Sequence, residues 1–232
     1  VADAGADGVK FQTHIPEAET TRDAPAPPYF QDEPRFEYFR RTGFAEDQWR
    51  ALRAQATTRG IDFVSSPFSV PAVELLERVG VDAYKIPSGE VTNVSLLQAV
   101  AGTGRAVILS SGMSSWEELD AAVAILRGGG PLTVLQCPSE YPCAYEHVGL
   151  NVMLEMRARY DVPVGLSDHT LTNYASFAAA TLGATTLERH VAFSRHMYGS
   201  DAAHSLEPAE LADLVRGVRA IELMLETTID KS

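Results

Sequence analysis

His169 and His190 lie twenty-one residues apart, too far for one helix face but natural for the ends of two neighbouring strands. Two imidazoles brought together there can share one cation and leave coordination positions open for water or a substrate oxygen, which describes a catalytic rather than a structural metal site. Asp168 and Glu188 stand close by in sequence, and metal-bound imidazoles usually have a carboxylate or carbonyl behind them. Imidazole ligation suits zinc, iron or manganese better than calcium. A single histidine is more often an ordinary core or surface residue. The weight rests on the pair.

Lys10 and Lys85 form a second group. Each interrupts or follows an apolar run, where an unpaired ammonium would be costly to bury. One reading is that each pairs with a carboxylate of the same domain, as buried charges normally do. Taken together, and ringed by the hydroxyls of Ser66, Ser88, Ser110 and Ser167, they read better as a pocket for a small anion bearing phosphate and carboxylate.

Something must bring these residues to one place. Short β-rich runs alternate with stretches of helical period, the signature of parallel βαβ architecture. Strands are expected at Gly8–Thr13, Asp62–Ser65, Ala83–Ile86, Ala106–Ser110, Leu132–Cys137, Val164–Ser167 and Thr185–His190. Helices are expected at Ala45–Arg59, Pro71–Val79, Val94–Val100, Ser115–Arg127, Val152–Tyr160, Tyr174–Leu182 and Pro208–Glu226. Ser69 before Pro71 reads as an N-cap, and Ser114 with Glu117 or Ser115 with Glu118 as a capping box. Gly80, Gly102, Gly128 and Gly183 sit where helices should stop. The proline-rich segment Glu17–Pro34 reads as a long surface loop, suited to a lid or rim.

Seven strand-helix units, with one strand and helix expected before Val1, add up to a (β/α)8 barrel over residues 1–232. An open doubly wound sheet is the alternative, but no G-x-G-x-x-G turn follows any strand. In a barrel the working residues project from the carboxyl ends of the strands, and every strand end here carries polar residues. They are Lys10 and Gln12; Ser65 and Ser66; Lys85, Ser88 and Glu90; Ser110 and Ser111; Ser139 and Tyr141; Ser167, Asp168 and His169; Glu188, Arg189 and His190. The segment 196–205 should hang over the barrel mouth, where Asp201 is either a turn aspartate or a residue that binds a sugar hydroxyl.

Composition narrows the partners. Nineteen basic against thirty-one acidic residues give a net charge of -12, which repels nucleic acid and anionic membrane surfaces. No apolar run approaches the roughly 20 residues needed to cross a bilayer, and no charged-then-apolar leader opens the sequence. Cys137 and Cys143, in a C-x5-C spacing, match neither a zinc knuckle nor a redox pair, so reduced thiols in a cytoplasmic protein are expected.

The segments VKFQT (9–13), SSPFS (65–69), AYKIPSGEVTN (83–93), VILSSGMSS (107–115), CPSEYPCAYEHVGLN (137–151), GLSDHTLTNYAS (165–176), LGATTLERH (182–190) and GSDAAHSLEP (199–208) resemble the sialic acid synthases, including the legionaminic and pseudaminic acid synthases. The resemblance implies a (β/α)8 barrel that condenses phosphoenolpyruvate with an N-acylated mannosamine-like sugar, giving a nine-carbon 2-keto-3-deoxy sugar acid and phosphate. It implies a divalent cation, manganese foremost with magnesium or cobalt as alternatives, held by His169 and His190, and a homodimer. By motif, Lys10, Ser66, Lys85, Ser88, Ser110 and Ser167 would surround phosphoenolpyruvate. Gln12, Tyr141 and Asp201 would face the amino sugar, and Glu90 would organise the pocket. Ser139, near the phosphate, stands where some members carry asparagine. The family's small antifreeze-like domain has no counterpart among these residues. A related 3-deoxy-ulosonate synthase and a catalytically incomplete sugar or phosphoenolpyruvate binding module are the alternative readings.

Overall fold

The computed structural model describes residues 1–24 and 33–231. Seven strands form one parallel sheet in chain order: β1 (Gly8–Thr13), β2 (Asp62–Pro67), β3 (Ala83–Ile86), β4 (Ala106–Ser110), β5 (Leu132–Gln136), β6 (Val164–Ser167) and β7 (Thr186–Glu188). Every neighbouring pair is parallel. Helices α1 (Pro16–Glu19), α2 (Arg35–Thr42), α3 (Glu46–Arg59), α4 (Val70–Val79), α5 (Val94–Gly102), α6 (Trp116–Leu126), α7 (Leu150–Tyr160), α8 (Tyr174–Thr181) and α9 (Pro208–Glu226) complete the order.

The sheet curls into a barrel wall. Lys10 of β1 forms an ion pair with Glu188 of β7, the strand furthest from it in sheet order. At the opposite end, Arg219 of α9 binds Asp7, just before β1. A flat seven-stranded sheet would hold its outer strands nearly 29 Å apart, taking about 4.8 Å for each of six inter-strand steps. Contacts between β1 and β7 therefore require closure, which favours the barrel over the open doubly wound sheet.

One core lies between strands and helices, with Tyr84, Phe63, Leu76, Leu97, Leu109, Leu126, Val134 and Met153 fully buried. A second, smaller cluster of Leu206, Leu211 and Leu214, with Ala4, Phe177 and Val218 against it, docks α9 beside the start of β1.

Several local expectations hold in detail. Ser115 and Glu118 form a reciprocal capping box at the start of α6, and Gly80 and Gly183 close their helices with φ of 86° and 87°. Others are corrected. Ser69 precedes α4 but makes no side-chain cap bond, and its buried hydroxyl has no partner among the described residues. Gly102 lies inside α5, and the left-handed turn after that helix falls to Gly104. Strand β7 ends at Glu188, so His190 sits two residues beyond the ladder, its carbonyl accepting from the Leu206 N–H at 2.8 Å. The stretch read as one loop, Glu17–Pro34, begins inside a short helix, Pro16–Glu19, and its residues 25–32 lie outside the described residues.

Helix α2 had no sequence signal of its own. It starts without a side-chain cap and is held by tertiary contacts: Phe36 is buried and Phe39 stacks on His14 at 3.7 Å.

Candidate active site

The two lysines meet on one carboxylate. Lys10 and Lys85 reach the two oxygens of Glu188 at 3.3 Å and 2.7 Å, and Lys85 is only 3% exposed. Burial alone would raise the Glu188 carboxyl, but Lys85 and then Lys10 outweigh it and hold the group well below the usual carboxylate range. The in-domain carboxylate partner considered for these lysines therefore exists. Two ammoniums against one carboxylate still leave a net positive charge at the strand ends, within an acidic protein.

The imidazoles converge as the paired-strand reading requires. Their ring centres are 5.6 Å apart, close enough for both to reach one ion through bonds of about 2.1 Å. His169 follows β6, and its Nδ1 lies 2.7 Å from the carbonyl oxygen of Pro138. A carbonyl can only accept, so Nδ1 carries the proton and Nε2 keeps its lone pair. The Ser167 hydroxyl stands 3.4 Å from that nitrogen. Tyr141 stacks on the His169 ring at 4.0 Å and meets the His190 ring edge-on at 6.0 Å. His190 Nδ1 lies 3.5 Å from an Asp201 oxygen.

Burial pushes the His169 imidazole down to about 4, against the opposing effect of its bond to Pro138. Burial likewise lowers His190, with Asp201 opposing. Both rings are therefore neutral at pH 7, the state that metal ligation requires. No group of three His, Cys, Asp or Glu side chains able to hold a metal occurs among the described residues. The donors present are the two imidazole nitrogens, whose ring spacing and neutral state fit a cation with its other positions left to water and substrate oxygen.

Hydroxyls complete the site. Those of Ser66, Ser88 and Ser110 are buried without a hydrogen-bond partner among the described residues. Each such atom costs about 1–3 kcal/mol, a cost that a ligand oxygen can offset. The clustering is tightest around Gly112: a Cβ there would fall 2.5 Å from the Ser139 hydroxyl and 2.6 Å from that of Ser88. Gln12 is exposed on β1, opposite Ser66 in the ladder.

Glu90 keeps different company. It accepts from the Asn93 amide at 2.8 Å and lines a cavity of about 410 Å³ with Glu19, Arg35 and Ser69. Burial raises its carboxyl, with the Asn93 bond opposing.

Two features had little or no signal in the sequence. The carbonyl of Pro138 is backbone, and no residue type announces it. Glu188 is legible in the sequence as a polar strand-end residue and as a carboxylate beside the imidazoles, not as the partner of both lysines; strand alternation, which puts residues 188 and 190 on one face, is the signal for its inward role.

Parallel barrels of this kind work at the carboxyl ends of their strands, where all these groups lie. Within that class the chain belongs to the NeuB family, which it matches over residues 1–230. It is 34% identical to the N,N'-diacetyllegionaminic acid synthase of Campylobacter jejuni, over all of this chain and 72% of that protein. It is 38% identical to the human N-acetylneuraminate-9-phosphate synthase, over 96% of this chain and 64% of that one. The crystal structure of N-acetylneuraminic acid synthetase from Leptospira borgpetersenii, in complex with citrate, superposes with a TM-score of 0.87 at 30% identity, over all of this chain and 78% of that one. This chain thus spans about two thirds of the length of the two curated relatives.

Proposed function

We propose that this protein condenses phosphoenolpyruvate with an open-chain, N-acylated mannosamine-like sugar, yielding a nine-carbon 2-keto-3-deoxy sugar acid and inorganic phosphate. The observation that carries the reading is the juxtaposition of two kinds of binding group in one place. Lysines with surplus charge and unpartnered hydroxyls suit a small dianion, and next to them two neutral imidazoles suit a cation. Two of the relatives are named as synthases of N,N'-diacetyllegionaminic acid and of N-acetylneuraminate 9-phosphate, which supports the reading.

His169 and His190 would hold a divalent cation, manganese foremost, which when bound would supply polarisation of the sugar aldehyde oxygen. Lys10 and Lys85 hold the phosphate and carboxylate of phosphoenolpyruvate, and Ser66, Ser88, Ser110, Ser139 and Ser167 donate hydrogen bonds to the same oxygens. Carbon 3 of phosphoenolpyruvate forms the new bond to the aldehyde carbon. Water then adds at carbon 2, and the resulting tetrahedral centre breaks its bond to the phosphate oxygen while the lysines offset the charge of the leaving group. Glu90, raised by burial, is suited to hold and return a proton. Tyr141, Gln12 and Asp201 face the sugar, the tyrosine ring shielding the imidazoles on one side. Both cysteines are free and buried, which suits a reducing, cytoplasmic compartment, and the proposed active form is a homodimer.

Phosphoenolpyruvate, manganese and a panel of N-acyl hexosamines test the reading together, with released phosphate and product mass as readouts. Phosphate release with a product heavier than the sugar by the pyruvate unit is expected, abolished in His169→Ala. Heat of binding without phosphate release, or turnover undiminished in His169→Ala, would overturn it.

A further inference from the structure

Strand alternation divides the ends of β6 and β7 into two sets. Ser167, His169, Glu188 and His190 face the barrel interior, and the residues between them, Asp168 and Arg189, face the other way. These two form an ion pair at 2.8 Å whose side chains are 0% and 3% exposed, the most deeply buried charge pair among those described. Each member is bonded on several sides. The Asp168 carboxylate accepts from the backbone N–H of Thr170 at 2.8 Å and from the Ser176 hydroxyl of α8 at 2.6 Å. The Arg189 guanidinium donates to that carboxylate and to the carbonyls of Thr172, at 2.7 Å, and Thr170. The Asp168 N–H also extends the ladder to the Glu188 carbonyl at 3.0 Å.

The consequence is geometric. His169 and His190 each lie directly beside one member of this pair, past the end of the regular ladder, where backbone bonds alone no longer set their spacing. The guanidinium spans the gap, tying the segment after β6 to the segment after β7 and both to α8. A planar fork with five donors does this with one side chain; an ammonium cannot reproduce the three directions.

We propose that Asp168 and Arg189 are positioning residues for the candidate cation site, holding the two imidazoles at the spacing and orientation that one ion requires. The inference rests on the metal-site reading given above. Outer residues that orient metal ligands typically change affinity by about 10- to 100-fold when replaced, and the pair acts through backbone that carries both ligands at once.

The test is Mn2+ titration of the full chain, free Mn2+ being followed by electron paramagnetic resonance, for the native protein, Arg189→Lys and Ser176→Ala. Circular dichroism and thermal melts without metal establish that each variant is folded. Arg189→Lys is expected to weaken Mn2+ binding about 10- to 100-fold. Ser176→Ala, which removes one bond to Asp168 and keeps both charges, is expected to weaken it several-fold. Both variants should regain most of their turnover at saturating Mn2+, with the KM for phosphoenolpyruvate unchanged because Lys10 and Lys85 are untouched. A purely structural ion pair would lower the melting temperature and leave Mn2+ affinity alone. Native-like affinity in a folded Arg189→Lys, or in folded Ser176→Ala should the lysine variant not fold, overturns the inference. A native protein that binds no Mn2+ overturns the underlying site reading itself.

Discussion

Glu188→Gln is the sharpest probe of the anion pocket. The substitution keeps the shape of the side chain and removes the one negative charge that touches Lys10 and Lys85 among the described residues. Lys85 is almost wholly buried, and stripping one partner from a buried pair typically costs about 3–5 kcal/mol. A protein of this size loses about 2–4 °C of melting temperature per kcal/mol, so a fall of roughly 6–20 °C follows. The same variant should then respond more strongly to added anions, because two uncompensated ammoniums bind phosphate or phosphoenolpyruvate better than the half-compensated pair does. Thermal melts over a series of phosphate concentrations read both effects. Glu188→Gln with an unchanged melting temperature would show that the carboxylate does not balance the lysines. An anion response no larger than that of the native protein would show that the lysines do not form an anion site.

Three further outcomes follow from the same geometry. His169 has a folded value near 4 against an ordinary value of 6.5, so the unfolded chain binds more protons between those limits. In the metal-free protein its contribution is complete above pH 6.5 and lost as pH falls toward 4, by roughly 3 kcal/mol; His169→Gln should flatten the stability curve in that window, and an unchanged slope would refute the assignment. Gly112→Ala places a Cβ within 2.9 Å of the Cys137 carbonyl as well as beside the Ser88 and Ser139 hydroxyls. It should cost about 1–3 kcal/mol and raise the KM for phosphoenolpyruvate, whereas native kinetics would place the anion elsewhere. Gly165→Ala would drive a Cβ to 2.0 Å from the Thr186 backbone oxygen, wedging β6 from β7, and should abolish cooperative unfolding in calorimetry.

The sequence alone carried the alternation of strands and helices, because parallel strands are continuous apolar runs and helices show their own period. It carried the polar strand ends for the same reason: once the strands are placed, their carboxyl ends are known. The capping box at Ser115 and the glycine stops at Gly80 and Gly183 were legible because they depend on residues a few positions apart. Helix α2 was not, since its stability comes from Phe36 and Phe39 packing on residues remote in sequence. Gly102 misled because the helix simply ran on to the next glycine turn.

Only the tertiary structure decided which of the polar strand ends share a space. That Lys10 and Lys85 close on Glu188 depends on how far the sheet curls, and curl is a sum over all seven strands that no local pattern contains. The tautomer of His169 depends on a backbone carbonyl thirty-one residues away. The Asp168–Arg189 clamp arises where two strand ends and α8 meet. Residue types announce what chemistry a side chain can do, but distances between segments far apart in sequence are set by packing, and those distances make separate lysines, serines and histidines into one site.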